Sequence, residues 1–269
     1  MSVQPLSVER DPPVVRVTFS RPDKLNAISG HMQKRMQELC AELRDDTETR
    51  VVILTGAGRA FSAGVDVEEL GGALGKQRDP MRARLGAQMG SRTAAAWESL
   101  DQVTIAAING LCVGGAVVLA LCCDIRLAAE SAWFSIPEVS LGIPLTWNAL
   151  PRLMREVGPA RALELVTTCD RFSAQQALEW GMVNHVLPDG DLLGAAEGLA
   201  QKIASRPALA VALTKAQIRA LKRGTEIGEA TYSDPELLML AGMIRQSGAE
   251  SDEQPSGDAE EINPDVNLG

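Results

Sequence analysis

The sequence predicts a protein of the α/β class, with a smaller helical part after about residue 200. Short apolar runs of strand length alternate with segments of helical apolar spacing through the first two thirds, and from about Gly190 the pattern is helical alone. With 269 residues, of which 45% are hydrophobic and 23% charged, the chain has the length and composition of one large domain, or of one domain with a short extension. No fixed sequence period is present, so any repetition is of shape alone.

The first elements predicted are two strands, a helix and a third strand. Residues 6–8 and 14–19 flank Asp11-Pro12-Pro13, a pattern typical of two strands joined by a proline-rich turn. Between residues 29 and 43 the apolar side chains recur on one face of a helix. Residues 51–54 form a continuous apolar run, which indicates a buried strand.

The middle of the chain continues this alternation. A capping pattern at residues 66–69 predicts the start of a helix, and apolar residues keep helical spacing through residues 81–100. A second capping pattern at residues 173–176 opens a helix that closes at Gly181. Further strands are predicted at residues 104–108, 125–128 and 183–186.

We expect three regions along the chain: a core over residues 1–200, a helical region over 201–245 and an acidic tail over 246–269. The tail holds seven acidic residues and no Lys or Arg, which accounts for −7 of the net charge of −9. It has no apolar period and is rich in Ser, Gly, Asn and Pro, so we expect a mobile or loosely docked terminus.

Composition argues against several classes of function. A net charge of −9 and an aromatic content of 3% do not suit nucleic-acid binding, which needs a basic surface and stacking rings. The five cysteines are odd in number and form no C-x-x-C pair, which predicts small buried residues in a reducing cytoplasm. His31 and His185 have no carboxylate or cysteine at ligand spacing, so we expect neither a metal site nor a Ser-His-Asp triad.

Two features argue against a membrane or secreted location. The first 13 residues lack the basic and apolar blocks of a secretory signal. Residues 102–123 form an uncharged stretch of 22 residues, but Asn109, Gly110, Gly114 and Gly115 divide it into a strand, a turn and a buried helix. We therefore expect a cytoplasmic protein without a membrane partner.

Two turns rich in small residues are the candidate functional elements. One spans residues 61–66 (FSAGVD) and the other residues 109–116 (NGLCVGGA), and each enters a predicted helix. The first N–H groups of a helix have no internal partner, and glycine lets a ligand oxygen come close to them. The two turns either converge on one oxygen or are simply tight strand-to-helix turns.

These turns and several further motifs together resemble the enoyl-CoA hydratase/isomerase, or crotonase, superfamily. In chain order the motifs are residues 21–28 (RPDKLNAI), 52–56 (VILTG), 61–66 (FSAGVD), 109–110 through 114–115 (NG…GG), 123–126 (CDIR), 137–138 (PE) and 141–144 (LGIP). The resemblance covers roughly residues 14–220. Each motif alone is weak, but the ordered set is specific.

The resemblance implies a crotonase-like spiral of β-β-α units with a C-terminal helical trimerisation region, assembled as a homotrimer or homohexamer. It also implies an acyl-CoA thioester substrate, a role in fatty-acid or related acyl-CoA metabolism, and no cofactor, since coenzyme A is part of the substrate. The N–H groups of Val65 and Gly115 would form an oxyanion hole. The coenzyme A path and thioester pocket would be lined by Lys24, Leu25, Ala27, Ala63, Asp66, Val67, Leu111, Gly114, Pro137 and Leu141.

The acid/base positions depart in part from those of the family. Hydratases of the family usually carry two glutamates; the second is present as Glu138, whereas the first position is Val118. If a helix starts near Gly115, residue 118 lies nearly one turn along it and points into the same site. A single carboxylate, partly desolvated so that its pKa is raised, favours isomerase-like proton transfer over efficient hydration. The alternatives are a non-catalytic acyl-CoA binding or carrier protein, or a Glu138 that only caps the proline turn.

Two further departures concern the surroundings of the site. Trp147, within residues 145–148 (LTWN), puts bulk where the family commonly has space. Either the acyl chain length and water access differ here, or Trp147 is an ordinary core residue. The acidic tail replaces the family's C-terminal helix, which leaves open whether adenine is contacted by that element.

Overall fold

The computed structural model describes residues 4–69 and 79–224. Its strands are β1 Leu6–Asp11, β2 Val14–Phe19, β3 Val51–Gly56, β4 Ala60–Ser62, β5 Val103–Ile108, β6 Leu111–Val113, β7 Ile125–Ala129, β8 Trp133–Ser135, β9 Phe172–Ser173 and β10 His185–Leu187. Its helices are α1 Gly30–Arg44, α2 Pro80–Ala87, α3 Met89–Glu98, α4 Gly115–Leu121, α5 Ala149–Val157, α6 Pro159–Thr168, α7 Ala174–Glu179, α8 Leu192–Ala204 and α9 Ala208–Gly224.

From β3 to β8, successive strands alternate between two sheets. The larger sheet has the order β1-β2-β3-β5-β7-β10, in which β1 is antiparallel to β2 and all other neighbours are parallel. The smaller sheet has the order β4-β6-β8-β9. The pairs β3–β4, β5–β6 and β7–β8 therefore each place their first strand in the larger sheet and their second strand in the smaller one. This repetition confirms the expected α/β class and its spiral of β-β-α units.

Three strands of the smaller sheet point the same way. β4 is parallel to β6, and β6 is parallel to β8. Their carboxyl ends therefore lie at one edge of the sheet, and the segments that follow them, residues 63–66, 114–115 and 136–138, leave from that edge. Both small-residue turns and the Pro-Glu motif are brought together by this pairing.

The core is formed by strands and helices that are apolar for most of their length. β3 and β5 are buried along their whole length, as is α4. Helix α1 buries Met32, Met36 and Leu39 completely and packs against α3, which buries Trp97. Each such side chain contributes about 1.5–3 kcal/mol through removal from water.

The motif at residues 123–126 is structural. The buried Arg126 guanidinium donates to two main-chain carbonyls and pairs with Glu156 at 3.0 Å. Asp124 accepts from the N–H and the hydroxyl of Thr104 at 2.8 and 2.9 Å, and it pairs with Lys215 of α9 at 2.7 Å. A buried charge is tolerated when it is paired and hydrogen-bonded in this way. The motif thus joins β5 and β7 to the helices around them.

Most predicted elements are confirmed, although some ends differ. The strand predicted at residues 6–8 extends to Asp11. The strand predicted at residues 183–186 is present with different bounds: β10 spans His185–Leu187, because the N–H groups of Met182 and Val183 still donate to the Ala177 carbonyl at the end of α7. The uncharged stretch at residues 102–123 forms β5, β6 and α4, and no helix in the described ranges is long and apolar enough to cross a membrane.

Only part of the C-terminal region for which predictions were made, residues 201–224, lies within the described residues. Helix α8 and helix α9 agree with the helical pattern that begins near Gly190. The remainder of the expected helical region and the acidic tail, residues 225–269, lie outside the described residues. The division into three regions and the trimerisation role of the second region stay predictions.

Candidate active site

A cavity of about 500 Å³ lies at the edge where β4, β6 and β8 end. Its wall includes Val65 from the turn after β4, Gly115 at the start of α4 and Glu138 from the turn after β8. The Gly114 N–H donates to the Ser135 carbonyl at 2.9 Å, which ties the end of β6 to the end of β8. The three segments are therefore held side by side by main-chain pairing.

The first two turns approach each other so closely that only glycine fits between them. A β-carbon at Gly64 would lie 2.5 Å from the carbonyl oxygen of Val113 and 3.4 Å from the nitrogen of Gly115. Gly64 has a φ of +84° and Gly114 a φ of +55°, in the region that favours glycine. A β-carbon at Gly115 would lie 3.1 Å from Cγ2 of Val65, so these two residues are direct neighbours.

The backbone N–H groups of Val65 and Gly115 are available to a ligand. Within residues 4–69 and 79–224, neither donates to a protein acceptor, whereas the neighbouring N–H groups of Gly64 and Asp66 are both bonded. Gly115 is the first residue of α4 and has no intrahelical acceptor. Two adjacent free donors can hold one oxygen that becomes negative during a reaction, and losing one such donor typically costs about 10²- to 10³-fold in rate.

Glu138 lies against the second turn. A β-carbon at Gly114 would lie only 2.6 Å from Oε1 of Glu138, and Oε2 is buried without a hydrogen-bond partner in the described part of the chain. Burial raises the pKa of Glu138 from an ordinary value of 4.5 to about 7. A carboxyl group with this pKa can both accept and return a proton near neutral pH.

The motif at residues 21–28 supports the first turn. Asn26, buried and in a left-handed conformation, donates to the Ala57 and Ala60 carbonyls at 2.9 and 2.8 Å. Arg21 donates to Asp66 at 2.9 Å. Burial alone would raise the pKa of Asp66, but the Arg21 guanidinium and the bond from the Glu69 N–H outweigh it and hold that pKa below its ordinary value. Asp66 thus caps the helical residues 67–69, as its sequence pattern predicted, and anchors the turn that carries Val65.

Trp147 forms another wall of the cavity and is also part of the core. Its side chain is 7% exposed and belongs to the main hydrophobic cluster. A β-carbon at Gly115 would lie 3.1 Å from its six-membered ring, and a β-carbon at Gly90 of α3 would overlap its indole nitrogen. Trp147 therefore fills the space between α3 and the start of α4, so it is a core residue that also limits the cavity.

A buried arginine holds the backbone that carries Trp147. Trp147 and Asn148 have φ values of +61° and +55°, which are uncommon for residues other than glycine. Arg152 donates to the carbonyls of both residues at 2.9 and 2.7 Å, and it pairs with Glu98 of α3 at 2.7 Å. These bonds fix the indole against α3.

The structure brings most of the predicted site residues together. The cavity wall includes Ala63, Val65, Asp66, Val67, Gly114, Gly115, Pro137, Glu138 and Leu141. Val118 lines it as well and is 2% exposed, in agreement with the direction inferred from helical spacing. Lys24, Leu25, Ala27 and Leu111 lie outside this wall, and the exposed Lys24 ammonium lies 2.5 Å from the Glu68 carboxylate. The roles of all these residues toward a ligand stay predictions.

Sequence reasoning missed the wall contributed by α1, α2 and α3. Gln33, Arg82, Met89 and Gly90 all line the cavity. A signal was present for Gln33, because it precedes Met36 by three positions and so lies on the apolar face of α1. The approach of α2 and α3 depends on tertiary packing and left no signal in the sequence.

The histidine and cysteine side chains of the described residues lie outside the cavity wall. His31 and His185 are exposed and outside the cavity wall, and no group of His, Cys, Asp and Glu side chains in the described ranges is suited to hold a metal ion. The five cysteines are free thiols; burial raises the pKa of Cys40 and Cys123 to about 12. The Cys40 and Cys123 thiols are therefore poor nucleophiles at neutral pH.

Enoyl-CoA hydratases and isomerases are among the known proteins that this chain resembles in sequence and structure. A family model described as enoyl-CoA hydratase/isomerase matches residues 9–250. A short-chain-enoyl-CoA hydratase from Clostridium acetobutylicum is 36% identical over 227 residues, covering 84% of each chain. The crystal structure of an enoyl-CoA hydratase from Bacillus anthracis has a TM-score of 0.76 and 36% identity over 93% of this chain and 96% of that one. A monofunctional enoyl CoA isomerase from M. smegmatis has a TM-score of 0.70 and 30% identity over 83% and 96%.

The raised pKa of Glu138 makes stability depend on pH. Between pH 4.5, the ordinary pKa of a glutamate, and about pH 7, Glu138 is ionised in the unfolded chain but stays protonated in the folded chain. The contribution of Glu138 to the free energy of unfolding should therefore fall as the pH rises through this window and level off above it. Glu138→Gln cannot ionise, so it should become more stable relative to the unaltered protein as the pH rises from about 5 to about 8. Urea unfolding at both pH values measures this difference; parallel pH profiles for the two proteins would contradict it.

The contact between Gly90 and Trp147 predicts a second effect on stability. Gly90→Ala places a β-carbon on the indole, and overpacking of this kind costs about 1–3 kcal/mol in unfolding free energy. Gly86→Ala, one turn earlier in α2, is the matched control because no atom lies within 4 Å of its added β-carbon. It should gain about 0.5–1 kcal/mol through helix propensity. Equal effects of the two substitutions in thermal or urea unfolding would disprove the close contact.

Proposed function

The chain belongs to the enoyl-CoA hydratase/isomerase family, and from that membership we propose that it acts on acyl-CoA thioesters through an enolate held by the N–H groups of Val65 and Gly115. Glu138 serves as the base. The observation that carries this proposal is the position of one buried carboxylate, with a pKa of about 7, beside two free main-chain donors.

The reaction best suited to this set of groups is double-bond isomerisation. Glu138 removes a proton from the α-carbon of a 3-enoyl thioester, and the electron pair moves onto the thioester oxygen. The Val65 and Gly115 N–H groups stabilise that oxyanion. Glu138 then returns the same proton to the γ-carbon, which gives the 2-enoyl thioester. One carboxylate suffices for this reaction, because the proton that leaves is the proton that returns.

Val118 argues against efficient hydration. It occupies the wall position at which a second acid/base group would face the cavity, and its side chain cannot move a proton. Addition of water to an enoyl thioester normally needs one group to activate the water and another to supply the proton. Among the family members of similar sequence or structure, both hydratases and a monofunctional isomerase are named, so membership alone does not choose between these reactions.

The second candidate is a non-catalytic acyl-CoA binding or carrier protein. Val118 favours it, because half of the acid/base pair is absent. The burial of Glu138 Oε2 at the cavity, without a hydrogen-bond partner among the described residues, favours the enzyme, since a merely structural carboxyl group is ordinarily hydrogen-bonded when buried.

We extend the proposal to assembly and location. A homotrimer or homohexamer is supported by exposed apolar side chains on α6 and α9, among them Leu163, Leu209 and Leu221, which are 65%, 71% and 74% exposed in the single chain. A reducing cytoplasm is supported by five free thiols. No separate cofactor is invoked, because coenzyme A is part of the substrate.

The proposal is tested by offering purified protein 2-enoyl and 3-enoyl thioesters. We expect conversion of the 3-enoyl thioester, a rate that rises with pH through about 7 as Glu138 ionises, and a loss of about 10²- to 10⁴-fold in Glu138→Gln. Glu130→Gln is the control, since Glu130 is exposed and lies outside the cavity wall.

Val118→Glu should gain hydration of the 2-enoyl thioester.

Two outcomes would contradict the proposal. Tight binding without turnover of either thioester, unchanged in Glu138→Gln, would establish the carrier. Rapid hydration by the unaltered protein would show that a second acid/base group is not required at position 118.

A further inference from the structure

Trp147 lies directly beside the two N–H groups that would hold the thioester oxygen. A β-carbon at Gly115 would lie 3.1 Å from Cη2 and Cζ3 of the Trp147 indole, and 3.1 Å from Cγ2 of Val65. A carbonyl oxygen bound by an N–H group lies only about 2.7–3.2 Å from the nitrogen. The six-membered ring is therefore within a few carbon–carbon bond lengths of a thioester carbonyl held at this place.

The cavity wall has an exposed part and a buried part. Val67 and Leu141 belong to the exposed part, since they are 60% and 44% exposed, whereas Trp147, Val118 and Gly90 are buried. A thioester has two arms, and the coenzyme A arm carries a charged nucleotide that stays in water, because burial of unpaired charge is costly. The coenzyme A arm therefore leaves past the exposed residues. The acyl arm points the other way, toward the buried part of the wall that Trp147 closes.

The Trp147 indole has no space into which it can withdraw. A β-carbon at Gly90 would lie 1.7 Å from the indole nitrogen, so the ring already packs against the main chain of α3. Arg152 donates to the carbonyls of Trp147 and Asn148 at 2.9 and 2.7 Å. Arg152 also pairs with Glu98 of α3 at 2.7 Å, and close-packed interiors yield little to added volume. The indole is therefore a fixed wall and not a movable gate.

The buried part of the wall both attracts an acyl chain and limits it. Ala87, Val118 and Leu145 are further buried residues of the wall, and all are apolar. An acyl chain gains about fourfold in affinity for each methylene that it removes from water. A chain that already reaches the indole must displace a packed ring or turn back toward water when it is lengthened. Further methylenes then weaken binding, because overpacking is unfavourable.

We propose that Trp147 sets the upper limit of acyl chain length, which makes short-chain acyl-CoA thioesters the substrate class of this site. The inference rests on the proposed function and adds the length of the acyl group to it. Trp147 determines specificity through direct contact with the acyl chain, and it takes no part in the proton transfer.

Equilibrium binding of saturated thioesters of increasing length tests the inference without any requirement for turnover. The series is acetyl-, butanoyl-, hexanoyl-, octanoyl- and decanoyl-CoA. For the unaltered protein, calorimetry should give a Kd that falls about fourfold per methylene from acetyl-CoA to butanoyl-CoA. The Kd should then rise about tenfold from hexanoyl-CoA to decanoyl-CoA, since the longer chain meets the indole.

Trp147→Leu removes most of the ring and should lengthen the space for the acyl chain. The tightest-binding thioester should become octanoyl-CoA or decanoyl-CoA, and the Kd of decanoyl-CoA should fall about tenfold relative to that of the unaltered protein. Trp147→Phe keeps one ring for the core and should shift the optimum in the same direction by a smaller amount. This second variant serves where Trp147→Leu does not fold.

Trp97→Leu is the matched control. Trp97 is completely buried on α3, lies outside the cavity wall and donates to the sulfur of Cys123 at 3.2 Å. Its replacement removes the same volume from the core, so the chain length of the tightest-binding thioester should not change.

Three outcomes would overturn the inference. Affinity that rises with every methylene up to decanoyl-CoA in the unaltered protein would show that no limit exists, whether or not the variants fold. An unchanged length profile in the folded Trp147 variants, or an equal shift in Trp97→Leu, would place the limit elsewhere. Absence of binding by every thioester would overturn the proposed function as well, whereas the other outcomes refute this inference alone.

Discussion

The parallel pairing of β4, β6 and β8 is the constraint on which the site depends. Strands that run in the same direction end at the same edge, so three segments that are distant in the chain are delivered to one cavity. Because Gly64 and Gly114 have no side chain, the turn at Gly64 packs against the main chain of Val113 and the turn at Gly114 packs against the Glu138 carboxylate. Two amide donors and one carboxylate are held by backbone geometry, which costs no reorganisation when a substrate reacts.

Both the pKa of Glu138 and the shape of the cavity depend on how closely the surrounding residues pack. Burial raises the pKa of Glu138 and so makes its carboxylate a stronger base. The same burial lowers the free energy of unfolding at neutral pH, so Glu138 is not placed there for stability. Trp147 closes the space beside Gly115, and the Arg152–Glu98 pair holds its backbone in a left-handed conformation. The cavity is therefore shaped by contacts that lie partly outside it.

Local sequence patterns predicted the parts of the site that depend on local structure. The two turns, the cap at Asp66 and the inward direction of Val118 follow from glycine placement, capping chemistry and helical spacing, and each is present in the structure. The start of β10 was misplaced because the end of α7 extends through hydrogen bonds that no strand pattern reports. Gln33 was overlooked although helical spacing places it on the apolar face of α1, because the helices that face it there are determined by tertiary packing.

The central claim is that the Val65 and Gly115 amides and Glu138 together generate an enolate. Deuterium exchange at the α-carbon of a saturated acyl-CoA, followed by mass spectrometry in D₂O, measures that step without the complication of a double bond. The account predicts exchange by the unaltered protein, at a rate that rises with pH through about 7, and no exchange by Glu138→Gln. A thioester that binds at full occupancy and keeps all of its α-hydrogens, over an incubation long enough for the Glu138 carboxyl proton to exchange with D₂O, would contradict it.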